Sequence, residues 1–356
     1  MHIDTKDGIP VRLVMTEADD WHLHVRDGAL LGAVLPDTVR RFRRAIIMPN
    51  LEPPVTTVAA ARAYRERILA CVPRDGRFTP LMTLYLTAAT TVGDIEEAAD
   101  SGLIAAVKYY PAGATTNSRQ GVSDIRQCDA VLGAMERFDI PLLMHGEVVD
   151  PAVDAFAREE VFLERVLTPL LGDFPRLRVV MEHITTAAAV AFVREGPRTL
   201  AATLTAHHML LNRNALFEGG IRPHHYCRPL LQPEGDRRAL VAAAISGHPR
   251  FFLGTDSAPH PRFAKESACG CAGIYTAHAA LELYAEIFAD AGALDRLEGF
   301  ASHFGADFYG LPRNTGTVCL ERGPLQVPQT VSFGVGEGVP FRAGMTVDWH
   351  LAGTAG

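Results

Sequence analysis

Two histidines one residue apart, in Trp21-His22-Leu23-His24-Val25-Arg26, are the residues of this chain best spaced to do chemistry together. Val11 to Met15 and Trp21 to Val25 read as strand or strand-end sequence, and side chains at i and i+2 of a strand share one face. Both imidazoles then point at one place, where they could hold a zinc-like ion. Alone, the pair reads more simply as two hydrogen-bonded histidines. The wider pattern argues for a site. Asn50 stands in Met48-Pro49-Asn50, Lys108 in Ala106-Val107-Lys108-Tyr109-Tyr110, and His145 in Leu143-Met144-His145-Gly146-Glu147. His183 stands in Met181-Glu182-His183-Ile184-Thr185-Thr186, and Asp256 in Gly254-Thr255-Asp256-Ser257. Each lies at or just beyond the end of a short apolar run. A lone His145 or His183 would be a core histidine, and a lone Asp256 or Asn50 a cap or turn residue. Their shared position favours one site over several separate explanations.

Lys108 is the most telling of them. A lysine at a buried strand end suffers a large desolvation cost or gives up its proton. It could instead snorkel to solvent or pair with a carboxylate. A neutral lysine amine can also react with carbon dioxide to form a carbamate, an anionic ligand whose two oxygens can bridge two metals. The nearby histidines favour the carbamate.

The elements that must position these residues alternate. Candidate strands are Arg43–Met48, Thr79–Leu86, Ile104–Tyr109, Ile140–His145, Arg178–His183, Leu200–Leu204 and Phe251–Gly254, and the N-terminal segment makes eight. Helical spacing runs through Val58–Cys71, Val92–Asp100, Cys128–Phe138, Pro151–Leu171 and Arg237–Ser246. Such alternation predicts a parallel sheet with right-handed crossovers. Eight units close into a (β/α)8 barrel of the TIM type, whose active site sits at the C-terminal ends of the strands. An open doubly wound sheet is the alternative, but no Gly-x-Gly-x-x-Gly follows an early strand. The expected organisation is one domain over 1–356. The Pro/Gly-rich tail from about Leu311 reads as surface wrapping or an edge ribbon.

Composition narrows the partners. A net charge of −7 without a polybasic block argues against nucleic acid or an anionic membrane. No run approaches the roughly 18 apolar residues of a membrane span, and the first residues lack a signal-peptide core. The six cysteines, at 71, 128, 227, 269, 271 and 319, include no Cys-x-x-Cys and read as reduced thiols of a cytoplasmic protein. Cys269-Gly270-Cys271 could bind metal or form a strained disulfide, though the histidines offer a better site.

The ordered segments resemble a known family. His22-Leu23-His24-Val25-Arg26, Met48-Pro49-Asn50, Lys108-Tyr109-Tyr110-Pro111, His145-Gly146-Glu147-Val148 and Glu182-His183-Ile184-Thr185-Thr186 carry the likeness. It continues through Asn212-Arg213-Asn214, Gly254-Thr255-Asp256-Ser257-Ala258-Pro259-His260, Gly270-Cys271-Ala272-Gly273 and Pro340-Phe341-Arg342-Ala343-Gly344. Together they are similar to the dihydroorotase family, of the shorter bacterial type within the metal-dependent amidohydrolase superfamily.

The resemblance implies two zinc ions bridged by carboxylated Lys108. His22, His24 and Asp256 would hold one ion, and His145 and His183 the other. Arg26, Asn50 and His260 would bind substrate carboxylates, and backbone near Arg228 and Ala272 would hold the pyrimidine ring. An apolar residue, usually leucine, is expected where Arg228 stands, so a guanidinium there is a departure. Thr115-Thr116, in Gly113-Ala114-Thr115-Thr116-Asn117-Ser118, resemble a mobile loop that closes over substrate. The implied reaction is the reversible closure of N-carbamoyl-L-aspartate to L-dihydroorotate, in a homodimer, with Asp256 shuttling the proton. Hydrolysis of a hydantoin or allantoin is the competing enzymatic reading, and a non-catalytic barrel scaffold the non-enzymatic one. Arg26, Asn50 and His260 favour a carboxylate-bearing substrate.

Overall fold

A computed structural model describes residues 1–268 and 270–352. Eight parallel strands form one sheet in sequential order: β1 Ala18–Leu23, β2 Phe42–Ile47, β3 Thr79–Tyr85, β4 Ile104–Tyr109, β5 Leu142–His145, β6 Val179–Glu182, β7 Leu200–Leu204 and β8 Phe251–Leu253. The sheet curls until its edges meet. Asp256 N–H donates to the His22 carbonyl at 2.9 Å and His24 N–H to the Ser257 carbonyl at 3.2 Å. Leu23 and Ser257 form a parallel bridge. The barrel expected from sequence is therefore what forms, and the open sheet is set aside.

Strands buried on both faces must be apolar throughout. Leu142-Leu143-Met144 and Val179-Val180-Met181 are, and all six residues are buried. The barrel interior is packed by Trp21, Ile46, Met48, Ala106, Leu143, Val180, Ala201 and Phe252. The helix Phe304–Tyr309 covers this core, with Tyr309 stacked on Trp21 at 4.7 Å between centroids. Strand periodicity then delivers the polar residues to the mouth. Ala106, Leu143 and Val180 face inward, so Lys108, His145 and Glu182, each two residues later, share their face. In β1 the register slips between Asp20 and Leu23. His24 stands just past the strand end.

One expectation needs correction. The span 151–171 is not one helix but Arg158–Phe162, a π-turn at Leu163–Leu167, and Thr168–Asp173. Asp150 and Asp154 bond the backbone N–H groups of Ala152 and Phe156, at 2.9 and 2.8 Å, and hold the first stretch in turns. Pro169 has no N–H to continue the regular ladder, and Thr168 Oγ1 donates to the Leu163 carbonyl at 2.8 Å. Of the two readings of the tail, the edge ribbon is the one that forms. Thr317–Gln326 and Thr346–Leu351 join the N-terminal strands His2–Lys6 and Ile9–Thr16 in a four-stranded antiparallel sheet. Leu13, Met15, Leu320, Val347 and Trp349 bury its inner face in the main core. Cys269 lies outside the described residues; Cys271 is a free thiol.

Candidate metal centre and active site

At the C-terminal mouth of the barrel is a small, tightly lined cavity. His22, His24, Arg26, Asn50, Thr115, Thr116, His145, His183, Arg228, Asp256 and Ala272 all line it, with Tyr110, Ala258 and Gly273. Lys108 is fully buried, its ammonium 4.8 Å from the centre of the Tyr110 ring. His260 joins the cavity wall through Arg26, whose Nη2 donates to His260 Nε2 at 2.9 Å. Every residue selected from sequence thus comes to one place.

Backbone conformation aims several of them. Arg26, His183 and Asp256 all have positive φ, at 57°, 44° and 43°. Bulky residues rarely adopt this region, and such strain persists where surrounding contacts enforce it. Buried Asp20 pins the Asp256 turn, accepting from Thr255 N–H and Oγ1 at 2.9 and 2.6 Å and from His22 N–H at 3.1 Å. Thr203 Oγ1 holds the His183 N–H at 2.8 Å. Buried Glu159 accepts from the backbone and hydroxyl groups of Thr185 and Thr186, locking the segment after His183.

The geometry suits a cation. His22 Nε2, His24 Nε2 and Asp256 Oδ1 lie 3.1–3.3 Å from one another. Donor atoms about 2.0–2.1 Å from a tetrahedral ion stand roughly that far apart. His22, His183 and Asp256 form a buried donor group whose atoms lie within 4.8 Å of one another. The ring centroids of His145 and His183 are 4.9 Å apart. His183 Nδ1 is buried without a hydrogen-bond partner, and His145 Nε2 donates to Glu147 Oε2 at 2.7 Å, leaving Nδ1 its lone pair.

Electrostatics agree. Burial, then the Arg26 charge, draws His24 down to about 4, and burial holds His183 well below its ordinary value. Both are neutral imidazoles, as metal ligation requires. Burial also opposes charge on His22, but Glu182 and Asp256 outweigh it and raise the imidazole to about 9. Burial likewise opposes ionisation of Asp256, yet His22 and His24 keep its carboxyl well below the usual range. Two carboxylates, Glu182 and Asp256, thus face His22 and favour positive charge beside that ring.

Several contributors were not identified from sequence. Glu182 pairs directly with the Lys108 ammonium and lies 3.1 Å from His22 Nδ1, off the line of a good hydrogen bond. Glu147 orients His145. Both sit in the quoted motifs, and strand parity could have found Glu182, the inward-facing partner of Val180. The Arg228 side chain does not reach into the centre of the cavity. Its Nη1 lies 3.5 Å from Glu147 Oε1, and its Nε donates to Tyr226 Oη at 3.2 Å. Asn50 Nδ2 donates to the Thr116 carbonyl at 3.2 Å, and Thr116 Oγ1 donates to the Ala272 carbonyl at 3.3 Å. The 115–116 loop therefore spans the mouth.

Known proteins share this arrangement of fold and sequence. Residues 18–321 match the model of the amidohydrolase family. A dihydroorotase of Nitrosomonas europaea is 61% identical over 351 residues, covering 98% of this chain and 99% of that protein. The Saccharomyces cerevisiae dihydroorotase solved with 5-fluoroorotic acid superposes with a TM-score of 0.89 at 34% identity, over 96% of this chain and 98% of that one. The Campylobacter jejuni dihydroorotase gives 0.88 at 35%, with the same coverage. Whole-length identity of this order, on a barrel with the histidine pair, lysine and aspartate at its mouth, places the chain in the dihydroorotase family of the amidohydrolases.

Proposed function

We propose that the chain catalyses the reversible closure of N-carbamoyl-L-aspartate to L-dihydroorotate with loss of water, a step of pyrimidine biosynthesis. The observation that carries this reading is the convergence of His22, His24 and Asp256 donor atoms at 3.1–3.3 Å beside the Arg26–His260 pair. His22, His24 and Asp256 would hold one zinc ion, and His145 and His183 a second. Lys108, as its carbamate, would stand between them. When bound, such a pair of ions activates water and polarises an amide carbonyl.

The chain's own groups do the rest. In ring opening, water adds to the amide carbon and Asp256 takes its proton. The carbon–nitrogen bond then breaks, and Asp256 hands the proton to the departing ring nitrogen. Closure reverses each transfer. Arg26 forks onto the substrate carboxylate and fixes its orientation. Asn50 and His260 complete that cradle. His260 is drawn down to about 2 by burial and then by Arg26, so it serves as a neutral hydrogen-bonding group. The backbone at Arg228 and Ala272 faces the ring edge, and Thr115 and Thr116 close over it, excluding water.

We read the molecule as a cytoplasmic homodimer acting on this small molecule, without nucleic-acid or membrane partners. The five described cysteines are free thiols, which supports a reducing compartment. No helix among the described residues is long and apolar enough to cross a membrane. In bicarbonate buffer, zinc-loaded protein should open L-dihydroorotate, lose that activity to a chelator and regain it with zinc. Undiminished turnover after complete metal removal would contradict the proposal.

A further inference from the structure

Lys265 is a buried cation with no part in the chemistry above. It ends the short helix Arg262–Lys265 and is only 4% exposed. Its Nζ donates to the Tyr226 carbonyl at 2.7 Å and to the Gly273 carbonyl at 2.6 Å. The titratable and charged groups around it are Arg26, Cys227, Cys271, His207, His260 and Tyr226, whose ring centre lies 5.8 Å from Nζ, and among the described residues none is a carboxylate. Burying an ammonium without a counter-ion is costly, and a neutral donor could join two carbonyls at less expense. Burial draws the amine down to about 8, so it still carries charge at neutral pH.

The two segments it joins form one wall of the cavity. Arg228 lies two residues beyond Tyr226, and Ala272 and Gly273 line the cavity themselves. Gly273 N–H also donates to the Tyr226 carbonyl at 3.0 Å. Gly273 has φ 144°, and a Cβ there would fall 2.7 Å from Ala258 Cβ, so the segment packs hard against the chain just after Asp256. Thr116 then bonds the Ala272 carbonyl from across the mouth.

We propose that Lys265 is a positioning residue whose ammonium clamps segments 226–228 and 272–273 into one wall and gives that wall a positive charge favouring an anionic substrate. The charge part rests on the substrate reading above; the clamp does not.

Metal-loaded wild type, Lys265→Met, Lys265→Gln and Lys265→Arg would be compared by hydrogen exchange and by kinetics with L-dihydroorotate. In Lys265→Met, amide exchange in 224–230 and 270–276 should rise about tenfold, with the barrel strands unchanged. KM should rise about tenfold while kcat stays within about threefold, the signature of lost ground-state binding. Metal content should match wild type. Lys265→Arg should recover much of the KM change, and Lys265→Gln, which keeps a donor but not the charge, should not. Wild-type exchange in both segments of Lys265→Met would overturn the clamp. So would exchange raised equally throughout the barrel, which would make Lys265 a general folding residue. Equal KM in Lys265→Gln and wild type would overturn the charge. A wild type that opens no dihydroorotate would sink the substrate reading and the charge with it, while the exchange comparison still decides the clamp.

Discussion

In the proposed mechanism Asp256 would carry two duties, holding a metal and moving a proton, and the second needs a carboxylate that can change protonation state. Asp256→Asn keeps an oxygen donor on the same backbone. It should retain metal while turnover falls about 10²–10⁴-fold, the usual worth of a positioned acid–base group. Near-normal turnover by the loaded variant would remove the proton shuttle. Glu147 makes a different claim, because it touches His145 and not the cavity centre. Glu147→Gln should weaken metal binding by roughly 10–100-fold, the range typical of groups that orient a ligand. Competition against a chelator would measure it, and wild-type affinity would show that Glu147 serves only Arg228. The candidate ligands stood out in sequence because histidine, lysine and aspartate recur at the ends of successive strands, although each alone has an ordinary use. Glu147, Glu159, Glu182 and Lys265 were not. In a sequence, each reads as a surface charge; strand parity alone points Glu182 inward, and the fold is needed to show the others buried.

At the scale of elements, periodicity was enough for the barrel. Ile104–Tyr109 and Leu200–Leu204 form as their sequences predict, the first barrel strand starts three residues earlier than Trp21, and the others differ by one or two residues at their ends. What periodicity could not supply was competition from local side chains, which broke the 151–171 stretch, or long-range pairing, which joined the tail to the N-terminal hairpin. The 115–116 loop tests whether an element can matter without touching metal. Its two anchors, Thr116 to Ala272 and Asn50 to the Thr116 carbonyl, cross the mouth. Replacing Thr115 and Thr116 with alanine should lower turnover about tenfold or more, as loss of a closing loop does, with metal content intact. Unchanged kinetics would exclude the loop from the mechanism.

Across the whole molecule, buried charge shapes how stability responds to pH. Lys265 titrates near 8 in the fold against an ordinary 10.5. Between those values the unfolded chain binds a proton that the native chain does not, so stability gains with rising pH. The cost of burying this charge is fully present below about pH 8 and fades toward 10.5, by up to about 3 kcal/mol. Chemical denaturation of wild type beside Lys265→Met should show the wild type gaining relative stability over that window. A difference independent of pH would mean that the amine is not buried in charged form.

The choice of ring at the mouth of the barrel decides the substrate. Zinc-reconstituted protein in bicarbonate buffer should be given L-dihydroorotate, an unsubstituted dihydropyrimidine and a hydantoin under identical conditions. Selective opening of dihydroorotate is expected, because only that ring presents a carboxylate to Arg26, Asn50 and His260. Preference for the uncharged rings would leave the metal centre standing and contradict the substrate assignment. No turnover of any ring by fully loaded protein would mean that the barrel is not a cyclic-amide hydrolase.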